Sequence, residues 1–505
     1  MRVTLTLSCA LVLCSTASAA TLPGQSLTVP DQVLRWHGAP KGPSGTGYDP
    51  PVEQSCTTDT CDSFLLEVNE PAGTFPMGPR AVGPDSTTRI QATGVGDLPG
   101  DGILVSIKWA TDFDQFNIYV DDATTGETVA SGLDVDSNAQ SVLLPQPKNG
   151  TYRVTVVPFL SGVEPADASY DGEVRVFHDP LQRMPAGARP LPQIETVAPA
   201  NFHVSDIPPV PSNPTGWRYT PAGTFPGNSC YTDEKLQFGA TKCLRFDNDI
   251  RNVGAGPLIL RFSYAPDAFI NNCKMQQEII AGDGTVADRD AGPCIFHPQH
   301  AHFHYQNMGT YELFAVDGSM RPGAQPIARS AKVGFCTIDV DDMTWGTAAS
   351  RPRTYSFPTC NVPNAVTAGI PTLGPFGPGY PPEYMGISPG WGDIYTWDLP
   401  QQYIDISKVP DGVYEVVSRS NPDGALLTAD RGRETGVSCI RLQGTKVTTL
   451  YSFASQSNTA PLPACAPHRH RAPRRRRAAP NGHSHRRTGP HRRPAGRRHG
   501  ARAAT

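Results

Sequence analysis

Apolar and polar residues alternate with a period of two through much of the stretch from residue 62 to residue 178. Ile103, Val105, Ile107 and Trp109 make one apolar face, and Phe116, Ile118 and Val120 make a second ahead of a turn at Thr125-Gly126. Tyr152, Val154 and Val156 follow Asn149-Gly150, and Val174 and Val176 close the run. Successive side chains of a strand point to opposite faces. The pattern therefore predicts half-buried antiparallel strands joined by polar turns, and the expected assembly is a β-sandwich. Helical periodicity is scarce along the chain. With 48 Gly and 51 Pro in 505 residues, breaks are frequent. Short strands remain the natural reading beyond residue 190, so the expected fold class is all-β throughout.

Composition divides the chain further. Residues 1–20 carry Arg2, an apolar stretch through Leu13 and the small residues Ala17-Ser18-Ala19, the pattern of a removable secretory signal. That stretch is too short to span a bilayer, and no later segment is long and apolar enough to do so. Residues 21–61 are an N-terminal extension and 62–178 the sandwich. Residues 179–190 open a proline-rich stretch, expected to be a stiff, extended linker. A second β domain then occupies 191–465. Residues 466–505 hold 13 Arg and no acid, so the net charge of −4 conceals a strongly acidic body and a basic tail. The tail has no apolar residues to bury and is expected to be disordered. An anchor to an anionic surface polymer is its functional reading, nucleic acid is disfavoured, and a merely solvated tail is the simpler reading. Two of the 12 cysteines, Cys9 and Cys14, fall in the signal. The even remainder in an exported chain points to disulfides, with Cys56 and Cys61 closing a local loop.

The densest chemistry lies in FHPQHAHFHYQNMGTYELF, where His297, His300, His302 and His304 fall within eight residues. An extended strand sends His300, His302 and His304 to one face, with Ala301 and Phe303 on the other. Imidazole suits copper and zinc. The three positions span roughly 13 Å in a regular strand, so one shared ion requires a bend or strong twist. His297 is offset by three and falls on the other face of a regular strand. It is read first as a supporting residue and second as a fourth ligand.

This segment resembles the copper-binding stretch of the lysyl oxidase family, in which a W-H-x-C-H-x-H-x-H run precedes an aromatic and acidic strand. Phe296 stands where that family has Trp, and Gln299 where it has Cys, so one family disulfide is expected to be missing. SAKVGFCTIDVDD resembles the family's K-A-S-F-C-L-E-D segment. GISPGWGDIYTWDLPQQYIDISKVPDGVYEVVSRSNP resembles its L-S-P-G-x-x-D-x-Y, Q-W-I-D-I-T and G-x-Y run, and CLRFDNDIRNVGAGPL resembles an early family strand. The four segments occur in family order. The resemblance implies copper (Cu2+) held by His300, His302 and His304. It also implies a lysine tyrosylquinone cofactor made from Lys332 and Tyr395. The sandwich region loosely resembles the jelly-roll domains found beside secreted bacterial peptidases, through KWATDFDQFNIYVDD and PKNGTYRVTVV.

The implied activity is a secreted amine oxidase that turns a primary amine, water and O2 into an aldehyde, ammonia and hydrogen peroxide. Peptidyl lysine is the substrate the family implies, and an acidic body would steer a cationic protein or amine toward it. Asp393 precedes Tyr395 by two and shares its face if the segment is extended. It is a candidate base, with a turn-forming Asp after Gly392 as the equal alternative. The family also implies a Cys336–Cys360 pair. Cys439–Cys465 would close the C-terminal end of the domain, with Cys230–Cys243 and Cys273–Cys294 as local pairs. The rival reading is a non-catalytic copper-binding cell-surface protein that holds metal but makes no quinone.

Overall fold

The computed structural model describes residues 24–27, 32–39, 61–79, 99–110, 114–132, 137–161, 169–205, 229–263, 273–297, 302–330, 334–355 and 384–466. The expected signal segment and the basic tail beyond Ala466 lie outside the described residues. Regular structure is almost entirely β, as expected; a short helix, Thr232–Phe238, interrupts it. None of the described helices is long and apolar enough to cross a membrane.

The alternating region forms two sheets. One runs in the order Gln25–Leu27, Asp62–Val68, Gly150–Ser161, Asp114–Asp122 and Thr128–Gly132; the other Val33–Gly38, Tyr170–Phe177, Gly102–Trp109 and Ala139–Pro145. Phe116, Ile118, Val120, Val154 and Val156 of the first share one core with Ile103, Val105, Ile107 and Val174 of the second. The expected half-burial fails on the second sheet. Leu104, Ser106, Glu173 and Arg175 alternate with the core residues, yet all are buried. A loop of the following domain covers them. Arg175 donates to the Thr347 carbonyl, Arg35 to the Gly346 carbonyl at 2.9 Å, and the Arg353 N–H to Ser141 Oγ at 2.6 Å. Lys108 reaches Asp341 Oδ1 at 2.9 Å, and Ser137 Oγ donates to the Val340 carbonyl at 2.7 Å.

Residues 179–190 also depart from expectation. They form turns rather than an extended rod. The cause is the buried carboxylate of Asp101, which Arg183 meets with two hydrogen bonds of 2.5 and 2.8 Å. A buried carboxylate is costly unless so paired, and the pairing folds the segment back. Leu181 then packs with Ile259, Ile280 and Tyr355.

Three further sheets build the second domain. One centres on Cys243–Asn252, which pairs with Ile194–Thr196, Trp391–Tyr395, Ala200–His203 and Tyr403–Asp405. Another runs His302–Tyr305, Val286–His297, Lys274–Ile280, Leu258–Ser263 and Tyr384–Ile387. The third runs Ala328–Arg329, Gly309–Ala315, Gly412–Ser420, Thr435–Gln443 and Lys446–Gln456. Phe246, Leu260, Phe303, Tyr311, Leu313, Trp391 and Val416 bring all three into one core. Disulfides Cys230–Cys243, Cys273–Cys294 and Cys439–Cys465 are present as expected. Cys61 and Cys336 are also disulfide-bonded; their expected partners, Cys56 and Cys360, lie outside the described residues.

Candidate functional site

The histidine segment is a hairpin rather than one strand. Val286–His297 pairs antiparallel with His302–Tyr305, in a register that sets Cys294 opposite Tyr305, Ile295 opposite His304 and His297 opposite His302. Cross-strand partners occupy the same face of a ladder. The position of His297 thus falls on the face of 302 and 304, which corrects the assignment to the opposite face. The reason is a chain reversal between 297 and 302, hidden from a reading that assumed one continuous strand. His300 lies outside the described residues. His304 is fully buried.

Phe303 and Tyr305, which alternate with His304, anchor the hairpin. Phe303 packs edge-on to Phe262 with centroids 5.5 Å apart. The Tyr305 hydroxyl donates to the Ala291 carbonyl at 2.7 Å, and burial pushes this phenol well above its ordinary pKa. The Tyr305 backbone forms a two-bond bridge with Phe335: the Tyr305 N–H donates at 2.8 Å and the Phe335 N–H donates back at 3.1 Å.

That bridge docks the segment that follows Lys332. Lys332 itself lies outside the described residues, and Gly334 is the first residue described after it. Gly334 has φ +85°, and a Cβ there would stand 2.5 Å from the Tyr305 carbonyl oxygen. Only glycine meets both demands. Gly309 gives way similarly to the Phe335 ring, which a Cβ would meet at 2.6 Å.

Tyr395 completes the junction. It ends the strand Trp391–Tyr395, which pairs with Cys243–Asn252 so that Asn248 faces Tyr395 and Ile250 faces Asp393. The Tyr395 hydroxyl accepts the Cys336 N–H at 3.0 Å and approaches the Cys336 carbonyl at 3.3 Å. Its ring meets Phe335 edge-on with centroids 4.6 Å apart. Backbone bonds thus connect Tyr305 to Phe335, and Phe335 is followed directly by the residue that holds the Tyr395 phenol.

Asp393 is buried and belongs to a strand rather than a turn. It acts on a residue the sequence reading did not single out. Burial pushes the Tyr311 phenol well above its ordinary pKa; a hydrogen bond with Gln402 opposes this and the Asp393 charge adds to it. Tyr311 meets the Gln402 amide at 3.1 to 3.2 Å and packs edge-on to Phe335 at 6.1 Å between centroids. Tyr311 looks like an ordinary apolar position in GTYELF, and Gln402 lies far from it in sequence, so no local signal marked the pair.

A second cluster, Cys230, Glu234 and Cys243, brings three ligand-type atoms together. It is structural. The two cysteines are joined as a disulfide, and Glu234 takes the fully buried Arg245 at 2.7 Å while capping the helix through the Tyr231 N–H at 2.8 Å. By contrast, His304 brings a fully buried imidazole to the histidine hairpin, and Cys336 next to the bridge is disulfide-bonded rather than a free thiolate. That donor chemistry fits copper. No protein-family model matches the chain, and no curated protein matches it.

Proposed function

We propose that the chain is an exported copper-dependent amine oxidase of lysyl oxidase type. The observation that supports this reading best is the convergence of three segments far apart in sequence. The histidine hairpin, the residues just after Lys332 and the strand bearing Tyr395 are joined within two hydrogen-bonded steps. An ordinary structural tyrosine has no need to be gripped by the backbone four positions after a particular lysine.

In this reading His300, His302 and His304 hold copper, and Lys332 and Tyr395 are the precursors of lysine tyrosylquinone. The bound metal and quinone supply an electrophilic carbonyl and a two-electron route to O2. The chain's own residues do the rest. Cys336 fixes the phenol by its backbone, so the ring has one position. Phe335 packs edge-on against that ring and excludes water from one side. Asp393 is the proposed base for the proton on the substrate carbon next to nitrogen, because it shares the strand and face of Tyr395. Tyr311 and Gln402 hold a polar, hydrogen-bonded boundary near that carboxylate. Export is proposed on the same footing: the disulfides fit an oxidising compartment.

A peroxide-coupled assay of the copper-treated full chain over a panel of primary amines tests the reading. Amine-dependent peroxide, absent in Tyr395→Phe, is expected. Stoichiometric copper binding with no peroxide from any amine would instead identify a non-catalytic copper-binding protein.

A further inference from the structure

The last sheet of the second domain holds a carboxyl group that the oxidase reading does not use. Glu415 lies within the strand Gly412–Ser420 and is fully buried. It stands opposite Phe314 on one side and Cys439 on the other, so it shares a sheet face with both. Leu462 and Cys465, from the segment after the last strand, pack on that face with Val417, Val437 and Phe453. Cys465 clasps the segment in place through its disulfide with Cys439 and through its N–H, which donates to the Met320 carbonyl at 2.8 Å. Glu415 Oε1 lies 3.7 Å from Cys465 Sγ, and Oε2 has no hydrogen-bond partner among the described residues. The charges that share the face are at its ends: Asp411, Arg441 and Lys446 are exposed, and Arg419 pairs with Glu312 at 3.3 Å. Tyr451 stands opposite Cys439, and Asp317 and Arg321 of the adjoining turn are exposed. Residues 457–466 carry no charge. Burial alone holds the Glu415 pKa above its ordinary value. A lone buried carboxylate is costly, so this group keeps its proton next to a disulfide sulfur.

We propose that Cys439–Cys465 is an exchangeable disulfide, a modification site for a small thiol, with Glu415 as the proton donor to the sulfur that leaves. Both sulfurs are buried. Attack therefore follows local opening of residues 457–466, which have no strand or helix of their own. A thiolate attacks Cys465 Sγ, on the segment that opens, and a new S–S bond forms there. The Cys439–Cys465 bond breaks, and its electron pair passes to Cys439, which faces Glu415 across the strands. The Glu415 proton goes to that sulfur, leaving a neutral thiol and a carboxylate. A second thiolate then displaces the first from Cys465, so that two thiols become one disulfide while the protein bond is reduced. Reduction frees the segment from the sheet. The site is independent of the proposed oxidase chemistry.

β-Mercaptoethanol is the probe, added to the full chain under native conditions and quenched at intervals with N-ethylmaleimide before peptide mass mapping. The first product should carry the thiol on Cys465 and the maleimide on Cys439, while Cys230–Cys243, also buried, stays intact. Glu415→Gln, which copies the neutral carboxyl in shape and charge but cannot give up a proton, should slow exchange about tenfold or more at pH 6. The wild-type rate per thiolate should hold level to about pH 7 and fall above it, as Glu415 loses its proton. That profile serves should the variant fail to fold. Equal reduction of Cys230–Cys243, capture of the thiol on Cys439, a wild-type rate in Glu415→Gln, or a rate per thiolate that stays level above pH 7 would each overturn the proposal.

Discussion

The sandwich and the second domain are both β, yet they bury different things. Between its sheets the sandwich packs Ile103, Val105, Phe116, Ile118, Val154 and Val174, while its buried polar residues Ser106, Glu173 and Arg175 alternate with that core on the other face of the second sheet. Its second-domain neighbour places His304, Asp393, Asn248, Ser418 and Glu415 inside its strands and Gln402 just before one, all of them buried. Each such group carries a desolvation cost that an apolar residue would avoid. The contrast is one of placement: the sandwich keeps the space between its sheets apolar, and the second domain sets polar groups such as Gln402, bonded to core Tyr311, beside its main core.

The sharpest break of the comparison is Tyr395→Phe. Amine-dependent peroxide release should vanish while the fold survives, since the hydroxyl contacts to Cys336 are lost but the ring keeps its packing against Phe335. Activity assay and circular dichroism on one sample read both outcomes. Asp393→Asn should lower turnover by about 10² to 10⁴-fold if the carboxylate is the base, with copper content unchanged by metal analysis. In the sandwich the converse holds. Phe116→Ala should cost about 3–5 kcal/mol in denaturant unfolding, with turnover intact wherever the protein remains folded. Gly334→Ala falls between the two. Strain and the clash with Tyr305 should cost about 1–3 kcal/mol, and activity should fall as the Lys332 segment loses its dock.

The smallest effect is one of pH. Burial among Phe314, Cys439 and Cys465 pushes the Glu415 carboxyl up to about 7. The folded state therefore holds this proton more tightly than the unfolded chain does. Its contribution to stability is complete below the ordinary Glu value of 4.5 and is lost as pH rises through about 7. Melting temperatures from pH 4.5 to 8 should decline with this contribution, and Glu415→Gln should flatten that part of the profile.

Legibility in the sequence follows the same division. Local alternation was enough for the sandwich strands, because Ile103 to Trp109 and Phe116 to Val120 form their faces within one strand each. Covering by residues far away was not legible: Arg175, on the outer face of its sheet, is buried where it bonds the Thr347 carbonyl of a distant loop. In the second domain, the spacing of Asp393 and Tyr395 correctly placed them on one strand face. The placement of His297 was misread, since the alternation of His300, His302 and His304 was read as part of one continuous strand with His297, whereas the two ends pair as a hairpin. Tyr311 and Gln402 were invisible for another reason, since their meeting depends on two sheets coming together.

The central claim is that copper converts two side chains of this chain, Lys332 and Tyr395, into one covalent cofactor. Peptide mass mapping of the chain after aerobic incubation with Cu(II) tests it without any knowledge of the substrate. The account predicts that the peptides containing Lys332 and Tyr395 disappear together and return as a single cross-linked species, absent when His304→Ala or Tyr395→Phe is treated alike. Recovery of both peptides separate and unmodified, from protein that has bound copper at the histidine hairpin, would contradict it.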